Sequence, residues 1–202
     1  MTKTIEFFYA ADSAYAYLGA YKLSQIAARH GAQIVHKPME LGPVMQAVGS
    51  TTFRERTPAH IAYFFRRELK RWAEWHGVPL MDGRPTHHDN STRIANGLIV
   101  AAGQGADADA LSHALLRAHW VEDADLADSE TLAAILKSVG LAADMLEQAG
   151  SDAVQAQLDA NTAEAIDKAM FGSPTYVVGG DLFYGQDRLD HVDRALTKAF
   201  AP

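Results

Sequence analysis

Strand-forming residues gather at the two ends of this chain, and the middle is built from helix-formers. That segregation constrains the fold more than any other feature. Residues 4–9 (Thr-Ile-Glu-Phe-Phe-Tyr) are rich in aromatic and β-branched side chains and read as a short buried strand. Asp12 or Ser13 can cap the helix that follows. Its apolar positions, Ala16, Ala20, Leu23 and Ala27, recur at helical spacing, and Gly31 after Arg29-His30 marks its end. Gln33 to Lys37 reads as a second strand, stopped by Pro38. A strand, a helix and a strand in this order predict a parallel pair with a right-handed crossover.

From Pro58 onward the pattern is helix after helix. A long helix is predicted from Pro58, with Ile61, Phe65, Leu69 and Trp72 on one face, ending near Gly77-Val78-Pro79. Trp75 on the same helix is expected to pack as well. Further helices are predicted from Ser91 to Ala101, around Leu111, Leu115 and Ala118, and over residues 129–139, 141–149 and 151–170. Thr175 to Val178 is then a strand, Gly179-Gly180 a tight hairpin turn, Leu182 to Tyr184 the returning strand, and Leu189 to Phe200 a closing helix. With the helical block set aside, the order is βαβ–ββα, that of a thioredoxin domain. The expected fold is therefore α/β: a discontinuous thioredoxin-like domain, residues 1–50 and 171–202, carrying a large all-α insertion at 51–170.

Composition narrows the function. The net charge of −7 gives no long-range attraction for nucleic acid or an anionic membrane surface. No stretch reaches the roughly 20 apolar residues of a membrane span. The opening Met-Thr-Lys-Thr-Ile-Glu places an acid where a signal peptide needs an apolar run, so the cytoplasm is the expected compartment. The sequence contains no cysteine. Disulfides, thiolate metal sites and protein-thiol redox chemistry are all excluded.

Three sites far apart in sequence come to one end of the sheet in this fold. Ser13 stands where the first strand turns into its helix. Free N–H groups and the positive end of the helix dipole there favour an anion. A thioredoxin keeps its own thiol at this position; here a serine hydroxyl can donate to a sulfur anion brought by a ligand, or serve simply as a helix cap. Ser173-Pro174 lies just before the third strand. A cis bond there would turn the peptide groups of Ser173 outward to pair with a peptide such as glutathione; an ordinary strand-start proline is the plain alternative. Gly185-Gln186-Asp187-Arg188-Leu189 opens the last helix. Asp187 can cap it, or accept from the amino group of a γ-glutamyl ligand whose carboxylate meets the backbone N–H groups of the turn. His87-His88-Asp89 lacks a third spaced ligand and is not read as a metal site.

The runs Phe8-Tyr9-Ala10-Ala11-Asp12-Ser13-Ala14-Tyr15-Ala16-Tyr17-Leu18 and Lys168-Ala169-Met170-Phe171-Gly172-Ser173-Pro174-Thr175-Tyr176-Val177-Val178 resemble the 2-hydroxychromene-2-carboxylate isomerases. So do Gly185-Gln186-Asp187-Arg188-Leu189, Pro58-Ala59-His60 and Leu69-Lys70-Arg71-Trp72-Ala73. That family is allied to the kappa-class glutathione transferases and, more distantly, to DsbA-like oxidoreductases. The resemblance implies a glutathione-dependent isomerase of an aromatic carboxylate, active as a possible homodimer. Ser13 would be catalytic and hold the glutathione thiolate. Ser173, Pro174, Gln186, Asp187 and Arg188 would bind the rest of glutathione. The family's Pro-Ala-Lys run is Pro58-Ala59-His60 here, so His60, Arg54 and Lys37, with Arg56, are the candidate groups for substrate. The family's usual aspartate and proline are Ala10 and Ala14. Two alternatives stay open: a kappa-like transferase or peroxidase that consumes glutathione, and a DsbA-like binding protein without catalysis.

Overall fold

The computed structural model describes residues 2–50 and 55–201. The N-terminal unit is β1 (Thr4–Tyr9), α1 (Ala14–His30) and β2 (Gln33–Pro38). The two strands are parallel, in register from Thr4 opposite Gln33 to Tyr9 opposite Pro38. Ser13, rather than Asp12, caps α1, its hydroxyl oxygen accepting from the Ala16 amide. Gly31 closes the helix in the left-handed region (φ 58°), its N–H reaching the carbonyls of Ala27 and Ala28.

The helical block begins earlier than the sequence pattern suggests. A short α2 (Leu41–Ala47) follows β2. Its Gly42-Pro43 pair reads as a breaker, but Pro43 lies in the first turn, where a missing N–H costs no helical bond. The long helix predicted from Pro58 is α3 (Pro58–Ala62), a π-turn over Tyr63–Arg67, and α4 (Glu68–His76). The π-turn shifts the register of the face. Leu69 and Ala73 are its buried positions, Trp72 is half-buried, and Trp75 is 79% exposed instead of packed. The block continues with α5 (Arg93–Ala102), α6 (Ala106–Glu122), α7 (Ser129–Ser138), α8 (Met145–Ala149) and α9 (Asp152–Asp167). The chain ends with β3 (Thr175–Val178), β4 (Asp181–Tyr184), a 3₁₀ turn over Gln186–Arg188 and α10 (Leu189–Ala195).

Among the described residues four strands form one sheet in the order β2-β1-β3-β4. β3 is antiparallel to both neighbours, and its hairpin to β4 turns on Gly179 and Gly180, both at positive φ. Strand alternation splits the core. Ile5, Phe7, Tyr9 and Tyr176 join α1 and the inserted helices in the larger apolar cluster, with the Phe7 ring stacked 4.0 Å from Tyr9 and 5.4 Å from Tyr176. Phe8 and Val177 face the other way, against Met39, Val44, Ala165 and Met170. α9 therefore covers the second face of the sheet, although its place in the chain puts it with the insertion. A polar chain binds α6 to the sheet. Tyr9 Oη lies 2.8 Å from both Ser112 Oγ and His36 Nδ1, and His36 Nε2 lies 2.8 Å from Asp109. No helix among the described residues is long and apolar enough to cross a membrane.

Candidate active site

The turn from β1 into α1 is fixed from three directions. Ser13 N–H donates back to the Ala10 carbonyl at 3.0 Å, closing the turn. The Ala10 amide donates to Ser173 Oγ at 3.2 Å. From the inserted helices, Asn96 Oδ1 on α5 accepts from the Ala11 amide at 2.9 Å, and Trp120 Nε1 on α6 donates to the Asp12 carbonyl at 2.8 Å. Asn96 is fully buried and passes the constraint on, its amide nitrogen donating to Glu40 at 3.0 Å. Trp120 is itself packed by His88 and His119, whose rings stack and whose nitrogens lie 2.8 Å apart. Burial drives His88 down to about 4, so it is neutral at pH 7 and suited to this contact.

Ser13 and Ser173 meet across the end of the sheet. The Ser13 hydroxyl donates to the Ser173 carbonyl at 3.3 Å, and the Ser173–Pro174 bond is cis. That separation is long for an O–H···O bond, so the hydroxyl is lightly held and can turn toward an incoming anion. The amides of Ala14 and Tyr15 are the first of α1 and have no carbonyl within the helix to bond. Hydroxyl, amides and helix dipole together favour negative charge above Ser13.

The third predicted segment joins them. Gly185 N–H donates to the Pro174 carbonyl at 2.9 Å and ties the 185–188 turn to the cis peptide. Gly185 sits at φ 98°, and a side chain there would meet the Asp187 carboxylate at 2.5 Å. Asp187 is half exposed, 3.4 Å from the Arg188 guanidinium, and faces Tyr176 and Tyr184, whose phenols are raised by burial first and by its charge second; it also adds to the raising of Tyr15, after burial, Glu68 and Tyr184. It does not cap α10, which has no side-chain cap. Gln186 corrects the expectation of a ligand-binding side chain. It is 3% exposed, within 2.8 Å of His76 Nε2, and packed on the backbone at Gly19. Its side chain fastens the turn to α1 and α4.

The three substrate candidates part company. Lys37 points to the second face of the sheet and is paired with Glu164 at 2.7 Å, beside Phe8, so it is withdrawn from Ser13. His60 is exposed on α3, with Nε2 accepting from Arg56 at 3.2 Å. Its ring leads through Phe64 (5.9 Å) to Tyr15 (Phe64–Tyr15 5.1 Å), two residues from Ser13. Arg54 lies outside the described residues. Aromatic surface borders the site on the other side: the Phe171 and Tyr184 rings lie 4.5 Å apart, tilted at 57°, and a Cβ at Gly172 would come within 2.2 Å of the Tyr184 ring.

Asp12 was read from sequence only as a possible cap. Its carboxyl is half-buried and receives no hydrogen bond from another side chain among the described residues, and burial pushes it up to about 6, with Glu40 raising and Arg84 lowering it. A carboxyl whose folded pKa exceeds its ordinary 3.8 binds its proton more tightly when folded, so it costs little stability at pH 4, a growing amount from there to pH 6, and its full amount above 6. The cost at pH 7 is at most about 3 kcal/mol. Asp12→Asn is accordingly expected to raise the melting temperature at pH 7 and not at pH 4. Thermal melts at the two pH values check this, and an equal gain at both would absolve the charge.

The DSBA-like thioredoxin domain matches residues 4–197 of this chain. The 2-hydroxychromene-2-carboxylate isomerase of Sphingobium xenophagum is 30% identical over 197 residues, covering 97% of this chain and 99% of that protein. The chain belongs to the 2-hydroxychromene-2-carboxylate isomerase family of DsbA-like thioredoxin proteins. A second member, from Pseudomonas sp. (strain C18), is 29% identical and covers 95% of this chain and 89% of its own. The solved structure of a 2-hydroxychromene-2-carboxylate isomerase superposes with a TM-score of 0.84 at 27% identity, over 96% of this chain and 94% of that one. A probable DsbA oxidoreductase from Streptomyces coelicolor superposes at 0.75 with 20% identity, covering 99% and 92%, and shares the fold. The arrangement at Ser13 and Ser173-Pro174 is thus set in the scaffold of the isomerase family.

Proposed function

We propose that this protein is a glutathione-dependent isomerase that interconverts 2-hydroxychromene-2-carboxylate, or a related aromatic-pathway acid, with its trans-o-hydroxybenzylidenepyruvate form. The observation that carries the reading is the Ser13 hydroxyl, set at the N-terminus of α1 against the cis Ser173–Pro174 peptide in a chain without cysteine. A thioredoxin scaffold so arranged has a place for a sulfur anion and no thiol of its own. The site fits glutathione: a hydroxyl and helix amides for the thiolate, the Ser173 peptide beside them, and Asp187 with the 185–188 backbone at the γ-glutamyl end. When bound, glutathione supplies a thiolate that adds reversibly to a conjugated enone and frees the double bond to rotate.

The protein's own part is electrostatic and geometric. Ser13 and the α1 amides lower the pKa of a thiol held above them. The bonds from Asn96, Trp120 and Ser173 hold the turn that carries that hydroxyl in place before any ligand arrives. Phe171, Tyr184 and the Tyr15–Phe64 pair offer flat apolar surface to an aromatic acid. His60 and Arg56 lie at the outer end of that surface, where a carboxylate can be met.

The test is an ultraviolet assay with 2-hydroxychromene-2-carboxylate, with and without glutathione, and a count of free thiol before and after. Isomerisation that requires glutathione and leaves the thiol count constant is the expected result. Thiol loss would assign the chain to transferase or peroxidase chemistry, and no glutathione binding at millimolar concentration would sink both enzyme readings.

A further inference from the structure

We propose that His88 and His119 are positioning residues for the Ser13 turn. Their mutual hydrogen bond latches the connection between α4 and α5 onto α6 around Trp120, and protonation of the pair frees the Trp120 indole from the Asp12 carbonyl. The latch is a property of the fold; its effect on turnover rests on the isomerase reading above.

Direct contacts join the pair to the site. Trp120 Nε1 donates to the Asp12 carbonyl at 2.8 Å, in the turn that carries Ser13. The rings of His88 and His119 lie 5.3 Å and 5.6 Å from the Trp120 ring, at 66° and 88° to it. From the connection, the Met81 amide donates to the Trp120 carbonyl at 2.9 Å. That connection, residues 77–92, contains no helix or strand, so side chains decide where it lies. Its outer attachment is to the link after α6. The Thr86 amide and hydroxyl each donate to Asp123 at 2.6 Å, and the Asn90 amide donates to Asp125 at 2.8 Å. The bonds from Thr86 hold the Asp123 carboxyl below its ordinary range, so that attachment stays charged in mild acid. The inner attachment is the histidine pair, with His119 only 1% exposed.

The partners fix where the protons sit. His119 Nδ1 lies 3.0 Å from the Ala124 carbonyl, which can only accept, so Nδ1 carries the hydrogen. His119 Nε2 is then bare and accepts from His88 Nδ1 at 2.8 Å. When both rings are charged, N–H faces N–H and the bond is gone. The charged groups around the pair are Arg84 and Asp89 on the connection, and Asp123 and Asp125 beyond α6, with His87 3.5 Å from Asp125. Burial lowers both histidines, His88 to about 4. A histidine whose closed value lies below its ordinary 6.5 binds its proton more tightly once the latch opens. The latch is therefore at full strength above pH 6.5 and weakens as pH falls toward 4. Asp12, which Arg84 also reaches, titrates in the same window with the opposite sign, since its protonation relieves a buried charge in the turn.

The experiment reads exchange of the indole N–H groups with water, by nitrogen-15 NMR, between pH 7.5 and 4.5. Trp75, which is 79% exposed, is the internal reference, and the ratio of Trp75 to Trp120 exchange rates measures how firmly Trp120 is held. In the wild type this ratio is expected to fall about 10²-fold across the range from His88 alone, with His119 adding in the same direction. His88→Asn keeps an N–H donor near the place of Nδ1 and takes up no proton. It is expected to hold the wild-type ratio at pH 7.5 and to lose it far less steeply. His88→Phe has no donor. At pH 7.5 it is expected to show a low ratio and about tenfold lower kcat at saturating glutathione, with glutathione affinity kept and kcat regained in His88→Asn. A flat wild-type ratio, an His88→Asn ratio with the wild-type slope, or a His88→Phe variant with wild-type ratio or wild-type kcat overturns the assignment. If His88→Phe does not fold, the first two readings decide. A wild type with the expected indole response that leaves the chromene unchanged strikes the isomerase reading and keeps the latch.

Discussion

Replacing Ser13 with alanine is expected to lower glutathione-dependent turnover by about 10²-fold, the usual effect of removing one preorganised donor to a developing anion. The same change raises the pKa of the bound thiol, because one of the groups that favour its anion is gone. Two structural contacts go too: the cap to the Ala16 amide, and the bond to the Ser173 carbonyl that joins the turn to the cis peptide. Losing a cap costs about 1 kcal/mol, too little to unfold a domain of this size. The measurement pairs turnover with the 240 nm titration of bound thiol and a melting curve. A folded variant with unchanged turnover and thiol pKa would reduce Ser13 to a helix cap.

Asn96→Ala is expected to have the second large effect, felt in stability and rate together. The side chain is fully buried and bridges the Ala11 amide to Glu40. Its removal leaves a buried backbone N–H without an acceptor and opens a small void, costing about 2–4 kcal/mol. The orphaned amide lies two residues from Ser13, so the turn relaxes, and a displacement of an ångström or less there is worth roughly a tenfold loss in rate. Urea unfolding and steady-state turnover at saturating glutathione check the two halves. A destabilised variant with wild-type turnover would make Asn96 a support of the fold alone.

Legibility in the sequence follows the range of the interactions. The strands, the Gly31 cap and the Gly179-Gly180 hairpin depend on neighbours and are plain from the residues. α2 hides behind Gly42-Pro43, because a proline reads as a breaker unless its place in the first turn is known. The π-turn over residues 63–67 is set by packing, and it turned Trp75 from expected core to open surface. At the site, Ser13, Ser173-Pro174 and Asp187 are found by motif and resemblance. Asn96 and Trp120 are not, since their partners lie 85 and 108 residues away in the chain. Gln186 shows the same limit from the other side. Its motif suggests a ligand contact, and its partner His76, 110 residues distant, takes the side chain. Lys37 likewise has a distant owner in Glu164.

The bonds from α5 and α6 into the β1–α1 turn have a consequence for how such a protein can change. The hydroxyl of Ser13 bonds within the β1–α1 turn and to Ser173, while the turn itself is anchored from α5 and α6. Trimming the insertion to recover a minimal domain would delete both outside anchors of the turn and leave the serine on a loose corner. Exchange of the helical block between relatives is constrained in the same way, because an incoming block must present an amide and an indole at matching points. Drift in either body is therefore reported at the other, and the two are obliged to vary as one part.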